Sequence, residues 1–338
     1  MNGAKAKASL SLDLDNKWSY MKTHGDSGWE SFPSYLDVLV PRALRFLEER
    51  NLRITFFIVG QDAALDKNRD ALRAISSAGH EVGNHSFSHE PWLHLYSEPE
   101  IAGEIARAEE QIEQATGQRP RGFRGPGFSC SHATLRVLQQ RGYLYDASTF
   151  PTFLGPLARA YYFMVSSLSQ EELQRRKALF GAFRDGFRPV KPYFWRLESG
   201  RLLEIPVTTM PAFKLPIHAS YILYASTFSR HLALAYWRAT LGLCRLADVQ
   251  PSLLLHPLDF LGSDDTADLS FFPAMGMPSG KKLELLSEIL RLFQAHFDVV
   301  AMEEFAEGLW PLSDLPVVEP EFRVQAESNI HHHSEGAL

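Results

Sequence analysis

The chain is poor in cysteine: its 338 residues include only Cys130 and Cys244. Two thiols make no disulfide framework, and a reducing compartment is the simpler expectation. Positive charge is not in excess either. Lys and Arg number 34 against 40 Asp and Glu, for a formal net charge of -6. A nucleic-acid partner, which asks for a basic face, is therefore not expected. Long apolar runs are missing as well, since none reaches the ~18 residues of a membrane span. The best candidate, YILYASTFSRHLALAYWRATLGLCRL at 221–246, is interrupted by Arg230, His231 and Arg238. It reads as one helix buried along one side. The N-terminal MNGAKAKASLSLDLD has lysines but no apolar segment before its acidic pair. It does not read as a secretory signal, so a cytoplasmic location is expected.

What remains is 45% hydrophobic and 22% charged, enough apolar material for a large core. No internal repeat is visible. Short apolar runs alternate with helical patterns, which predicts βα units around a parallel sheet. The candidate strands are ASLSLDL, RITFFIVG, HEVGNH, RGFRG, YLYDAS, LLEIPV, SLLLHP and FDVVAM. SEPEIAGEIARAEEQIEQATG pairs Ser97 with Glu100 in capping-box spacing and stops at Gly117. SHATLRVLQQRG is expected to start a helix after Ser131, and SGKKLELLSEILRLFQAH one after Ser279. The alternation stops between Asp146 and residue 202. There, residues 150–200 read as an aromatic helical insertion, with a second capping box at Ser169 and Glu172. The expected organisation is one barrel domain over 1–310 carrying this insertion, then a tail over 311–338 that frays. The HHH at 331–333 falls in that tail.

Chemistry-bearing residues gather at the ends of the candidate strands. LDLDN places Asp13 and Asp15 at the end of the first, where two like charges need water or a cation. AGHEVGNHSFSH places His85 and His89 four residues apart, a spacing that on a helical turn brings both imidazoles to one face. Two His, one carboxylate and water make the open coordination of a catalytic zinc site. Either Asp13 or Asp15 can complete the set, leaving the other as a base. In FRGPGFSC, Arg124 ends a strand beside a Gly-Pro-Gly turn and suits a carboxylate that must stay ionised. In SLLLHPLDF, His256 follows a buried run, with Asp259 three residues on. In a parallel barrel such strand ends converge on one face, where active sites are found.

In order and wording these motifs resemble the polysaccharide deacetylase family with the NodB homology domain, carbohydrate esterase family 4. LDLDN is similar to its first motif in the D-x-D form, HSFSH to its second, RGPG to its third and LLHP to its last. ITFFIVG and GYLYDAS also resemble its second and fifth strands. The resemblance covers about 8–149 and resumes over 202–305. It implies an irregular parallel (β/α)7–8 barrel, distorted relative to a TIM barrel, with helical insertions. It implies Asp13 as general base, Asp15, His85 and His89 as ligands of one divalent ion, zinc, and Arg124 as the partner of Asp13. Gly127 would supply a backbone N–H to the oxyanion, and His256 would be the general acid. Asp259 and Phe128 are expected to bind substrate. Three departures stand out. Gly127 replaces the usual Tyr, no Asp-Trp element appears near EIPVTTMPAF to tune His256, and the insertion has no counterpart in simple members. Asp259 is the residue at hand to replace that element, or else it caps a turn.

The expected activity is metal-dependent removal of an N-acetyl or other N-acyl group from an amino sugar. Without a signal sequence, a cytoplasmic or lipid-linked saccharide suits better than an extracellular polymer. The aromatic insertion suggests peripheral contact with the inner face of a membrane. The alternatives are hydrolysis of a small non-sugar amide, as in allantoinase-like relatives, deformylation of a lipid-linked amino sugar, and a barrel that only binds saccharide.

Overall fold

Alternation within SLSLD sets the plan of the molecule. In β1 (Lys7–Asp13), Ala8, Leu10 and Leu12 point into an apolar layer of helices, while Ser9, Ser11 and Asp13 point the other way. The structure is a computed structural model that describes residues 5–155 and 183–322. After α1 (Lys17–His24) and α2 (Leu36–Glu48), β2 (Thr55–Ile58) lies parallel to β1. Then come α3 (Gly60–Ala63), α4 (Arg69–Ser77), β3 (Glu81–Asn84), α5 (Glu98–Thr116), β4 (Gly122–Phe123), α6 (His132–Gln140) and β5 (Tyr145–Asp146). Past residues 156–182, which lie outside the description, the chain forms β6 (Tyr193–Leu197), β7 (Gly200–Glu204), α7 (Ala219–Phe228) and α8 (Arg230–Leu246). It ends with β8 (Ser252–Leu255), α9 (Ser279–His296), β9 (Asp298–Val300), α10 (Met302–Leu309) and β10 (Val317–Val318).

Strands β8, β1, β2, β3, β4, β5 and β7 follow one another as parallel neighbours. The ring closes just beyond β7. The Ser252 N–H donates to Thr208 Oγ1 at 2.8 Å, and the Thr208 N–H donates to the Ser252 carbonyl at 3.1 Å. The fold is therefore the expected distorted (β/α) barrel. Its interior is polar at one end and apolar in the middle, where Phe57, Tyr145, Ala147, Leu203 and Ile205 meet Val300, Met302 and Phe305. Helix α10 plugs the N-terminal mouth. Its first N–H groups are taken by Thr55 Oγ1 (2.7 Å, from Met302) and Glu81 Oε2 (2.8 Å, from Glu303). That leaves the C-terminal mouth open for a site.

Each of the eight expected strands is present, and α5 carries its capping box from Ser97 to Glu100 with Gly117 left-handed at its end. Three readings are corrected. Residues 221–246 are two helices rather than one, broken at Ser229, whose side chain accepts from the Leu232 N–H to cap α8. The end of the expected insertion is not helical: β6 and β7 form an antiparallel hairpin on the outer edge. The start of the expected tail does not fray, because Val317 and Val318 pair with Phe194 and Trp195. The capping box at Ser169 and the HHH at 331–333 lie outside the described residues.

Candidate active site

Asp13 and Asp15 leave β1 at the open mouth with different partners. The Arg124 guanidinium donates to Asp13 Oδ1 at 2.7 Å, to Ser11 Oγ at 2.9 Å and to the Ala147 carbonyl at 3.0 Å. Arg124 is completely buried, so its charge needs a carboxylate, and Asp13 is that carboxylate. Asp15 turns to the imidazoles instead. Its Oδ1 lies 3.3 Å from His85 Nε2 and 2.9 Å from His89 Nε2. Burial pushes the Asp15 carboxyl up. The charge of His89 and the hydrogen bonds of both imidazoles outweigh this and hold it below the usual carboxylate range. Burial likewise opposes a charge on His85, but Asp13 and Asp15 raise it above the ordinary histidine value.

The loop behind Asp15 is pinned from two sides. Tyr35 donates its hydroxyl to the Asp15 carbonyl. Asn16 donates to Asp62 Oδ1 at 2.7 Å, an oxygen that also accepts from Trp18 Nε1 at 3.0 Å. Asp62 is itself buried and pushed up to about 7 by that burial.

His85 and His89 do not share a helical face, contrary to the spacing argument. They flank a loop after β3 in which Ser86 (φ 59°) and His89 (φ 51°) are left-handed, and the loop brings the rings to 5.1 Å. The Ser86 N–H is held by Asn84 Oδ1 at 2.9 Å, and the Phe87 and Ser88 N–H groups donate to Glu104 on α5. Such a loop has no helical periodicity to read.

Asp15, His85 and His89 are a group that could hold a metal ion, with donor atoms all within 4.8 Å of one another. The donor set fits a divalent ion. The Arg124 carbonyl lies 2.6 Å from His85 Nδ1, so Nδ1 keeps its proton for that bond and Nε2, toward Asp15, is the nitrogen that would give up its proton to become a ligand.

Gly127 is exposed at the tip of the β4–α6 loop, in the left-handed region (φ 58°). A Cβ on Gly125 would stand 2.0 Å from the Ser129 carbonyl oxygen, so only glycine permits this tight return. Among the described residues the Gly127 N–H donates to no backbone or side-chain acceptor. Phe128 stacks on Phe150 at 4.8 Å, and Phe150 packs on His218 at 5.7 Å.

His256 follows β8 and is partly open to the mouth. Asp259, expected to bind substrate, is turned into the protein beneath His256. It is 1% exposed, accepts from the His256 N–H at 2.8 Å and from Ser220 Oγ at 2.7 Å, and so supports His256 from below. Ser220 Oγ in turn lies 3.2 Å from His256 Nδ1. Sequence reading missed Ser220 and His218. A serine and a histidine at a helix start (PIHAS) look like capping residues, and only the fold brings them to β8.

The aromatic insertion expected to contact a membrane, with Tyr161, Tyr162 and Phe163, lies outside the described residues over 156–182. Arg230 and Arg238 both pair with Glu288, at 3.0 and 3.2 Å. Among the described residues, no helix is long and apolar enough to cross a membrane.

Fold and site together define a parallel barrel whose C-terminal mouth holds an Asp-His-His donor set beside an arginine-held carboxylate. A model of the polysaccharide deacetylase family matches residues 26–145, which include His85, His89, Arg124 and Gly127. Over that stretch the chain is similar to the family. It is 30% identical over 112 residues to the peptidoglycan deacetylase of Helicobacter pylori, covering 33% of this chain and 37% of that one. It is 34% identical over 86 residues to the peptidoglycan-N-acetylglucosamine deacetylase of Bacillus cereus, covering 25% and 30%. The chain thus spans about a third of the length of these curated relatives. A solved structure from Mycobacterium smegmatis, named for the polysaccharide deacetylases, superposes with a TM-score of 0.61 at 22% identity, covering 95% of this chain and 97% of that one. That likeness speaks for the fold.

Proposed function

We propose that the protein hydrolyses an N-acyl group, an acetyl, from an amino-sugar residue of a saccharide, using one divalent ion, zinc, held by Asp15, His85 and His89. The observation that carries this reading is the division of labour at the end of β1. Asp15 is committed to two imidazoles, while Asp13, two residues earlier, is held by Arg124. A ligand and a free base side by side are what amide hydrolysis by water requires. The names of the curated relatives, peptidoglycan and peptidoglycan-N-acetylglucosamine deacetylases, support the substrate class.

A bound zinc would polarise the acyl carbonyl and lower the pKa of water. Asp13, held in place by Arg124, takes the proton of the attacking water as its oxygen bonds to the acyl carbon. The Gly127 N–H donates to the oxygen on which charge develops. His256 gives a proton to the sugar nitrogen as the C–N bond breaks, so the amine and the carboxylic acid leave neutral. The acid then loses its hydroxyl proton to solvent, and the proton taken by Asp13 is passed back through solvent to restore His256. The hydroxyl of Ser220 and the carboxylate of Asp259 orient the imidazole for that transfer. A saccharide-binding barrel without catalysis would need neither Asp13 held by Arg124 nor a supported His256.

The test is a mass-spectrometric screen of the zinc-loaded protein against N-acetylated amino sugars that are free, oligomeric, nucleotide-linked and lipid-linked. Loss of one acetyl group from at least one class, abolished in Asp13→Asn, is expected. No mass loss in any class would remove the reading.

A further inference from the structure

His218 is the one buried imidazole near the mouth that the proposed reaction leaves without a task. It precedes α7, is 7% exposed, and its Nδ1 is buried without a hydrogen-bond partner. Among the described residues its Nε2 has none either. Its ring lies 5.4 Å from His256, 4.3 Å from Tyr221 and 5.7 Å from Phe150, and Phe150 continues to Phe128 on the oxyanion loop. His218 therefore stands in an aromatic wall that joins the acid side of the site to Gly127. A buried polar ring with no partner costs free energy, and such groups in native folds usually await a water or a ligand.

We propose that His218 is a substrate-contacting residue whose Nε2–H donates a hydrogen bond to a hydroxyl oxygen of the amino-sugar residue being deacylated. The inference rests on the function proposed above and names a specificity contact within it. The direction follows from the ring's surroundings. Burial, with the charges of His256 and Arg124 nearby, keeps the imidazole neutral, so it carries one N–H. A stranded N–H is rarer in native structures than an under-used acceptor, which leaves the lone pair on sealed Nδ1 and the proton on Nε2. The ring that carries this N–H lies 5.4 Å from that of His256, beside which the sugar bearing the acylated nitrogen must sit. Sugar hydroxyls flank that nitrogen, and neighbouring rings can cover the apolar faces of the pyranose.

The experiment reads binding rather than turnover. Zinc-loaded Asp13→Asn protein is titrated calorimetrically with a soluble N-acetylglucosamine oligomer, alongside Asp13→Asn carrying His218→Phe or His218→Gln. Phenylalanine fills the space without a donor, and glutamine restores one. Loss of one neutral hydrogen bond predicts roughly five- to tenfold weaker binding for the Phe variant and recovery in the Gln variant. Melting temperature and zinc content should stay equal across the three. Equal affinity in all three overturns the proposal, as does absence of binding in the Asp13→Asn parent. Weaker binding that tracks lost zinc or a lowered melting temperature in both variants also overturns it, because His218 would then act through structure. If wild-type protein shows no turnover while the Phe and Gln difference persists, the contact stands and the hydrolysis reading fails.

Discussion

Asp259 reaches His256 through the hydroxyl of Ser220, which lies 2.7 Å from the carboxylate Oδ1 and 3.2 Å from the imidazole Nδ1. The second carboxylate oxygen holds the His256 N–H at 2.8 Å, so one side chain fixes both the backbone and the ring. Below it, Lys282 donates to the Leu258 and Leu261 carbonyls at 2.8 Å each, and burial lowers this amine to about 8. Ser220→Ala breaks the link to the ring but spares the backbone bond. It is expected to lower kcat on an N-acetyl sugar by about tenfold with little change in KM, because an acid held in the wrong orientation mainly slows proton transfer. A change confined to KM would make Ser220 a substrate contact.

The two aspartates of β1 should separate cleanly. Asp13→Asn leaves Asp15, His85 and His89 in place, so zinc stoichiometry should be retained while turnover falls by at least ~100-fold, in the range of a lost general base. Asp15→Asn removes the one anionic ligand and should weaken zinc itself. Elemental analysis of dialysed protein beside a turnover assay decides this, and exchanged phenotypes would reverse the roles.

His85→Ala should lose both zinc and activity. It also deletes the bond to the Arg124 carbonyl, which helps position the residue that holds Asp13. Retention of one tightly bound ion together with activity in this variant would place the metal elsewhere.

Much of this site was legible because barrel chemistry clusters at strand ends, and strand ends are marked by apolar runs. LDLDN, HSFSH, FRGPG and LLHP each close such a run, and their side chains meet at one mouth. What stayed hidden depended on contacts distant in sequence. Asp259 looks exposed three residues after His256, yet α7 covers it through Ser220. Strand β6 is not marked in the sequence, because VKPYFWRL follows an aromatic stretch with helical signals, whereas β7 overlaps the expected strand LLEIPV. Tyr193 and Trp195 of β6 are buried against Leu93, Ile101, Leu135 and Leu138, contacts distant in sequence. The His85–His89 loop shows the limit of spacing arguments: an interval of four suits a helical turn, but two left-handed residues achieve the same convergence.

Acid catalysis by His256 can be tested with the leaving group. His256→Ala should slow an N-acetyl sugar far more than an activated aryl acetate, whose phenolate departs without a proton. A difference of about tenfold or more between the two losses is expected. Equal losses would reduce His256 to a positioning role.

Buried Glu81 makes stability depend on pH in a direction opposite to that of most carboxylates. It accepts from Tyr145 at 2.7 Å, from the Thr55 hydroxyl, and from the Glu303 N–H at 2.8 Å, at the plugged end of the barrel. Burial nevertheless outweighs these bonds and raises the carboxyl from 4.5 to about 7. A folded-state pKa above the unfolded one means that the folded chain holds the proton more tightly. Its stabilising contribution is complete below 4.5, falls as pH rises toward about 7, and is gone above that. The span corresponds to something on the order of 3 kcal/mol. His80, lowered by burial to about 4, acts in the reverse sense, losing stability as pH falls from 6.5 toward that value. Wild-type stability therefore mixes two slopes, and the variant isolates one. Glu81→Gln cannot ionise, so its stability relative to wild type should improve between about pH 5 and about pH 7 and level off above that in urea titrations. A constant difference across that range would mean that Glu81 keeps an ordinary pKa in the folded barrel.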